Sequence, residues 1–166
     1  MSGPRTSVHS GGCQCGAVRY ALYDEPTDAS ICHCRMCQKA FGSYFAPLAD
    51  VKLEAFVLTR GALSKFRSSA AVERGFCSTC GTPLSFRYVD EDKIAIALGS
   101  LDHPERVPLR RQYGLESRLA WIPQLDLPGA KTEDSSTQEH LTQIASANYQ
   151  HPDHDTDSWP PAGASA

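Results

Sequence analysis

The feature that most constrains this chain is the arrangement of its seven cysteines. They fall into three short groups, which are Cys13-x-Cys15, Cys32-x-Cys34-x-x-Cys37 and Cys77-x-x-Cys80. A secreted disulfide scaffold normally uses an even number of cysteines, and clustered thiols in a reducing compartment more often bind metal than form crosslinks. The spacing therefore favours metal-binding thiolates over disulfide bonds.

The division into two, three and two cysteines is typical of zinc sites. Zinc takes four ligands in a tetrahedron with sulfur at about 2.3 Å, and a Cys-x-Cys or Cys-x-x-Cys pair lets one turn of backbone supply two of them. Two such pairs complete one closed, structural site. The other three thiolates leave a fourth position for water or substrate, which is typical of a catalytic zinc.

The residues that follow the cysteines indicate which pairs share a site. A glycine directly follows Cys15 and another follows Cys80, whereas Gln38 follows Cys37. Glycine at that position lets the backbone turn through positive φ and direct amide hydrogens at the sulfurs. We therefore predict two zinc ions per chain, a structural one on Cys13, Cys15, Cys77 and Cys80 and an open one on Cys32, Cys34 and Cys37.

Two alternatives apply to the triplet. A disulfide between Cys34 and Cys37, with no metal, would explain the Cys-x-x-Cys spacing alone. A protein group such as His33 or His103 as the fourth ligand would make both zincs structural. His33 lies between two ligands, where its side chain most naturally points away from the metal that they share.

The charge of an open three-cysteine zinc predicts its chemistry. Three thiolates on a divalent ion leave one net negative charge, so the zinc is a weaker Lewis acid than one held by three histidines. Hydrolysis is therefore disfavoured, whereas an incoming thiol would bind as a thiolate and be ready as a nucleophile. Arg35 and Lys39 are candidates for attracting an anionic substrate, with ordinary surface charge as the alternative interpretation.

Composition excludes several classes of function. The chain has 166 residues, which suits one domain, and its formal net charge of -3 lacks the basic footprint of a nucleic-acid-binding protein. The longest apolar run, residues 94–98, is too short to span a bilayer, and residues 1–10 show no secretion signal. We expect a soluble, cytoplasmic protein that binds neither nucleic acid nor membrane.

Alternating apolar residues predict a core made mostly of β-strands. Strands are predicted at 18–22, 84–88 and 94–98, with an extended stretch at 47–58 and a short helix near 37–41. The runs 84–88 and 94–98 form a predicted hairpin, because an acidic turn separates them.

The ends of the chain differ in character from the core. We predict a flexible tail at 1–10, a zinc-binding domain at 11–133, a helix at 134–150 and a disordered tail at 151–166. Ser136 and Glu139 have the spacing of a capping box, and apolar residues follow them at helical intervals. The last segment is poor in apolar residues and rich in His, Asp, Ser and Pro.

Three motifs, in this order, resemble the glutathione-dependent formaldehyde-activating enzyme family, which also includes centromere protein V. They are GCQCGAV at 12–18, CHCRMC at 32–37 followed by Gly42 and Phe45, and GFCSTCGTPL at 75–84, and the similarity extends over 11–128. The resemblance implies a mainly β, zinc-containing fold of the Mss-four-like type, to which the capping-box pattern adds one late helix. By residue-for-residue match it also implies the same division of the cysteines into four structural and three catalytic zinc ligands.

The resemblance further implies a carbon-sulfur lyase. The family's named reaction joins formaldehyde to the sulfur of glutathione and gives S-hydroxymethylglutathione, so a small-molecule thiol such as glutathione is the expected partner. Two departures affect this expectation. Gln112 stands where many relatives have a histidine nine residues before the tryptophan matched by Trp121, and the stretch beyond Glu133 resembles nothing in the family.

A non-catalytic, zinc-stabilised binding module is the alternative function. A long basic arm would favour it, and this sequence has none. Trp121 and Pro123, with Leu125 and Leu127 behind them, are candidates for a pocket wall. Ordinary packing is the preferred interpretation of these residues, because buried aromatic side chains usually serve packing.

Overall fold

The structure is a computed structural model of the chain, and it describes residues 6–124, 137–147 and 150–158. Within these ranges, ten strands form two sheets and two segments are α-helical. The strands are β1 His9–Gly12, β2 Arg19–Leu22, β3 Thr27–Cys32, β4 Ala46–Lys52, β5 Phe56–Arg60, β6 Ser64–Arg67, β7 Val72–Phe76, β8 Pro83–Tyr88, β9 Lys93–Ala97 and β10 Arg111–Tyr113. The helices are α1 Arg35–Phe41 and α2 Gln138–Ala147.

The larger sheet has seven strands in the order β10-β3-β4-β9-β8-β7-β6. Neighbouring strands are antiparallel except β10, which runs parallel to β3. The central strand β9 carries alternating isoleucine and alanine, and it is buried at every residue after Lys93. A strand covered on both faces needs apolar or small residues throughout, which this sequence supplies.

The smaller sheet, in the order β1-β2-β5, shares its core with the larger one. Tyr20 and Leu22 of β2 are completely buried, and they belong to the same apolar cluster as Leu84 and Ile96 of the larger sheet. The buried Tyr20 hydroxyl is 2.8 Å from the Ser100 hydroxyl, so its polar group is satisfied. One core therefore joins both sheets.

The mainly β fold class with a late helix is confirmed. β2, β8 and β9 lie where strands were predicted, β8 pairs antiparallel with β9 as the predicted hairpin, and α2 lies within 134–150. The stretch 47–58 is instead two strands, β4 and β5, which a short 3-10 turn at Leu53–Ala55 separates. The turn is needed because β4 pairs in the larger sheet and β5 in the smaller one.

The structure places part of each segment that the sequence analysis predicted to be a tail. His9 lies in β1, is buried and has its Nε2 atom 2.9 Å from the Glu25 carboxylate. His151 is also buried, and its backbone N–H donates to the Gln14 carbonyl at 2.7 Å. These segments are held by polar contacts, which apolar patterning does not reveal. Residues 1–5 and 159–166 lie outside the described residues.

A buried ion cluster fixes the second tail to β2. The Arg19 guanidinium donates to both carboxylate oxygens of Asp102 at 2.7 and 2.6 Å, and it also contacts Asp155 at 2.7 Å. Burial by itself raises the pKa of Asp102, but hydrogen bonds from Arg19 and Ser10 outweigh it and lower that pKa below its usual range. The carboxylate of Asp102 is therefore held ionised inside the protein.

Over the ranges that the structure describes, neither helix has the length and apolar character that crossing a membrane requires.

Candidate metal centres

Four cysteines from two separate loops meet in one cluster. One loop joins β1 to β2 and the other joins β7 to β8, and the four sulfur atoms all lie within 4.8 Å of one another. The Sγ atoms of Cys13 and Cys15 are 3.6 Å apart, and those of Cys15 and Cys77 are 3.8 Å apart. A tetrahedral zinc with bonds of about 2.3 Å separates its sulfurs by roughly 3.8 Å. Cys13, Cys15, Cys77 and Cys80 can therefore hold a tetrahedral metal ion.

Glycine at the end of each pair allows the loop to close. Gly16 and Gly81 have φ of 73° and 78°, in the left-handed region that favours glycine. Their N–H groups donate to the carbonyls of Cys13 and Cys77, rather than to sulfur as the sequence suggested. The sulfur contact comes two residues later in the first loop, where the Val18 N–H donates to Cys13 Sγ at 3.2 Å.

Thr82 links the two loops, and the sequence analysis assigned it no role. Its hydroxyl accepts the Gln14 N–H at 3.1 Å and is 3.1 Å from Cys80 Sγ, to which it can donate. Burial raises the pKa of the Cys80 thiol, but hydrogen bonds from Thr82 and Cys15 together outweigh it and lower that pKa to about 6. The hydroxyl thus stabilises the thiolate that a metal requires.

On two other cysteines the effect of burial outweighs the hydrogen bonds. It raises the pKa of the Cys13 thiol to about 12, and that of the Cys32 thiol, in the second cluster, to about 12. Protein groups alone therefore leave these thiols protonated at neutral pH. A divalent cation supplies the positive charge that makes several adjacent thiolates stable, and its binding releases their protons.

The other three cysteines form the second cluster, which we call the triplet. Cys32 ends β3, Cys34 is the N-cap of α1 and Cys37 lies inside α1, and their sulfur atoms are within 4.8 Å of one another. The Cys37 N–H donates to Cys34 Sγ at 3.4 Å. Burial raises the pKa of the Cys34 thiol, but this hydrogen bond and those from the neighbouring thiols outweigh it and lower that pKa. The triplet offers a metal three sulfurs.

No fourth His, Asp or Glu joins the triplet among the residues that the structure describes. The His33 ring is buried with Nε2 2.9 Å from Gln112 Oε1, so Gln112 holds this histidine in place. His103 is exposed and contacts Glu105 at 3.2 Å. All seven cysteines are free, so the alternative disulfide is absent.

A positive charge that the sequence analysis missed lies against the triplet. Arg74 of β7 is only 7% exposed, and its Nη2 donates to Cys37 Sγ at 3.5 Å. Its Nε donates to the Ser68 hydroxyl at 3.3 Å, and the guanidinium lies over the Phe86 ring at 4.9 Å. The sequence contains a signal for this contact. Arg74 stands two positions after the buried Val72, and residues two apart on a strand point to the same side, which here is the interior.

The predicted basic residues Arg35 and Lys39 lie on the exposed surface of α1. Together with Arg74 they line a cavity of about 730 Å³ beside the triplet. Trp121 and Pro123 do not line it. Trp121 instead packs edge-on against Tyr44 at a ring distance of 4.7 Å, which supports the packing interpretation, and Leu125 and Leu127 lie outside the described residues.

Sequence comparison matches residues 8–114, well over half of the chain, to the glutathione-dependent formaldehyde-activating enzyme family. The chain belongs to this family. The matched range contains all seven cysteines and ends short of the limit at 128 that the resemblance suggested.

Two similar proteins illustrate the relationship. A protein of Schizosaccharomyces pombe named as an uncharacterized lyase is 32% identical over 82 residues, which are 49% of this chain and only 59% of that protein. The crystal structure of a Rhodobacter sphaeroides protein superposes with a TM-score of 0.51 at 24% identity, covering 62% of this chain and 98% of that one. The second comparison supports the fold alone.

Proposed function

We propose that this family member is a zinc-dependent, carbon-sulfur lyase-type enzyme that binds a thiol substrate at the triplet. The default substrates are glutathione and formaldehyde, and the product is S-hydroxymethylglutathione. The observation that carries the proposal is the cluster of Cys32, Cys34 and Cys37 with no fourth ligand from the described residues. Membership of the family and similarity to a protein named as a lyase support it.

The proposed reaction adds the thiol across the carbonyl group. The S–H bond breaks, the sulfur electron pair forms a bond to the aldehyde carbon, and the carbonyl oxygen takes up a proton as its π bond opens. A zinc ion on the three sulfurs supplies the acidity that keeps a substrate thiol deprotonated at neutral pH. Arg74, next to Cys37, offsets the net negative charge of that site.

The four-cysteine cluster is proposed to hold a second, structural zinc. It would join a loop of the smaller sheet to a loop of the larger one, and its binding energy, of order 10 kcal/mol, would be folding energy. The proposal therefore has two zinc ions per chain. Free thiolates persist in a reducing compartment such as the cytoplasm, which is the proposed location.

Cobalt substitution tests thiol binding directly. Cobalt(II) in place of zinc has absorption bands that respond to a change of ligand, so glutathione is expected to alter the spectrum of the loaded protein. S-methylglutathione is the matched control, because its sulfur cannot ionise. No spectral change with glutathione or any other thiol would end the proposal. A spectral change without formation of hydroxymethyl product by NMR would favour the alternative of a binding module.

Two serine variants test the division of labour between the clusters. Cys34→Ser is expected to abolish binding of one zinc and leave a folded protein, because the triplet comes from one continuous segment, from the end of β3 to α1, and does not join the two sheets. Cys80→Ser is expected to lower thermal stability strongly, because it removes the link between the sheets. Zinc content and circular dichroism measure both outcomes. Equal loss of folded structure in the two variants would contradict the assignment.

A further inference from the structure

The cavity beside the triplet has an unusual combination of walls. It lies between α1 and the strands β6, β7 and β8. Three aromatic side chains, Phe41, Phe66 and Phe76, and three basic ones, Arg35, Lys39 and Arg74, line it, and none of its lining residues is acidic. Phe66 is 61% exposed, so part of this apolar wall is open to solvent. The cavity can accept a ligand that is both apolar and negatively charged.

One donor of Arg74 has no partner among the residues that the structure describes. Its Nε and Nη2 atoms donate to Ser68 and Cys37, but the buried Nη1 makes no hydrogen bond to any of those described residues. A buried charged donor left unpaired is costly, and a ligand is a common reason for it to exist in a native site. Arg74 lines the cavity, so an anion bound there would lie next to its guanidinium.

We propose that the cavity binds the carboxylate of a thiol substrate on Arg74, with the apolar body of the substrate against the aromatic wall. The assignment of a thiol rests on the proposed function, whereas the binding of an apolar carboxylate does not. The preferred substrate class is a mercaptocarboxylic acid without an ammonium group. Arg74 lines the cavity and contacts Cys37, whereas no cysteine lines it, so the sulfur of the substrate extends past Arg74 toward the triplet.

Charge complementarity narrows the substrate of the proposed function, since it ranks this class above glutathione, the zwitterionic default. An ammonium group placed in the cavity would meet three basic side chains and no acidic one from the lining residues. Such like-charge contact discriminates against the wrong ligand as effectively as attraction selects the right one. A simple mercapto acid avoids it and gains a charge-assisted hydrogen bond to Arg74.

A pair of sulfur-free ligands tests the anion site without relying on the metal. The full-length, zinc-loaded protein is titrated with 3-phenylpropionate and, separately, with its uncharged amide, and binding is followed by NMR. The wild-type protein is expected to bind the acid at least about tenfold more tightly than the amide. Arg74→Gln is expected to reduce this preference strongly, whereas the matched control Lys65→Gln, outside the cavity lining, is expected to keep it.

Equal affinity of the wild-type protein for acid and amide would overturn the proposal, as would an undiminished preference in Arg74→Gln. Zinc content and the NMR spectrum of each variant show whether it is folded. If Arg74→Gln fails to fold, the comparison of acid with amide in the wild-type protein decides alone. Failure of the proposed function gives a different pair of results. In that case 2-mercapto-3-phenylpropionate would leave the cobalt spectrum unchanged. The wild-type protein would still bind 3-phenylpropionate more tightly than Arg74→Gln does.

Discussion

Thr82 shows how one hydroxyl can support a metal site without binding the metal. It accepts a hydrogen bond from the Gln14 backbone and lies against Cys80 Sγ, so it both joins the loops and lowers a thiol pKa. Thr82→Val removes the hydroxyl and keeps the shape of the side chain. We expect zinc affinity of the four-cysteine cluster to fall by about 10–100-fold, measured by competition with a chromogenic chelator. Thr82→Ser retains the hydroxyl and serves as the control, and equal affinity in the valine and serine variants would contradict this role.

Asp102 carries a prediction on pH dependence. Its folded pKa is lowered, because Arg19 and Ser10 outweigh the effect of burial. The stabilisation is therefore fully present above the unfolded pKa of about 3.9, and it is lost as pH falls through the lower folded pKa. Asp102→Asn leaves the buried Arg19 with less compensating charge, and we expect a loss of about 3–5 kcal/mol at neutral pH.

Denaturant unfolding of wild type and Asp102→Asn at a series of pH values measures the effect. The difference between the two proteins is expected to shrink in acid, because the wild type loses its carboxylate there. Glu105→Gln, at an exposed ion pair, is the control and should change stability little. A difference that stays constant down to acidic pH would show that Asp102 does not act through its charge.

Among the elements, the segment 150–158 acts as a strap across the smaller sheet. Arg60 at the end of β5 donates to the carbonyl and hydroxyl of Thr156, and Asp155 contacts Arg19 of β2. A chain ending at residue 149 loses these partners and exposes two arginines. We expect it to lose about 1–3 kcal/mol relative to a chain ending at residue 158, seen as a lower Tm. Identical Tm values for the two chains would contradict a structural role for the strap.

The elements also show what the sequence alone could predict. Alternation of apolar residues located β2, β8 and β9, because each buries such residues in the shared core. It did not locate β10 or the strap, since Arg111 and Gln112 of β10 are exposed and His151 is fixed by polar contacts. Polar partners that are distant in sequence become visible only when the chain is folded.

At the scale of the whole molecule, the cysteine clusters are placed by the two sheets. Cys13 follows a strand of the smaller sheet and Cys77 a strand of the larger one, and both are buried in the common core. Short cysteine spacing predicted each pair, because local backbone sets it, whereas the joining of two pairs into a group of four was inferred from the glycines that follow Cys15 and Cys80. Arg74 was not predicted, since its contact with Cys37 depends on how β7 lies against α1.

Metal content combined with X-ray absorption tests the central claim most directly. We expect two zinc ions per chain. One zinc should have four sulfur ligands, and the other should have three sulfurs and one lighter atom, so the spectrum should be the average of these two sites. Added thiol should replace that lighter atom with sulfur. A single zinc per chain, or two zincs that each keep four protein ligands in the presence of thiol, would contradict it.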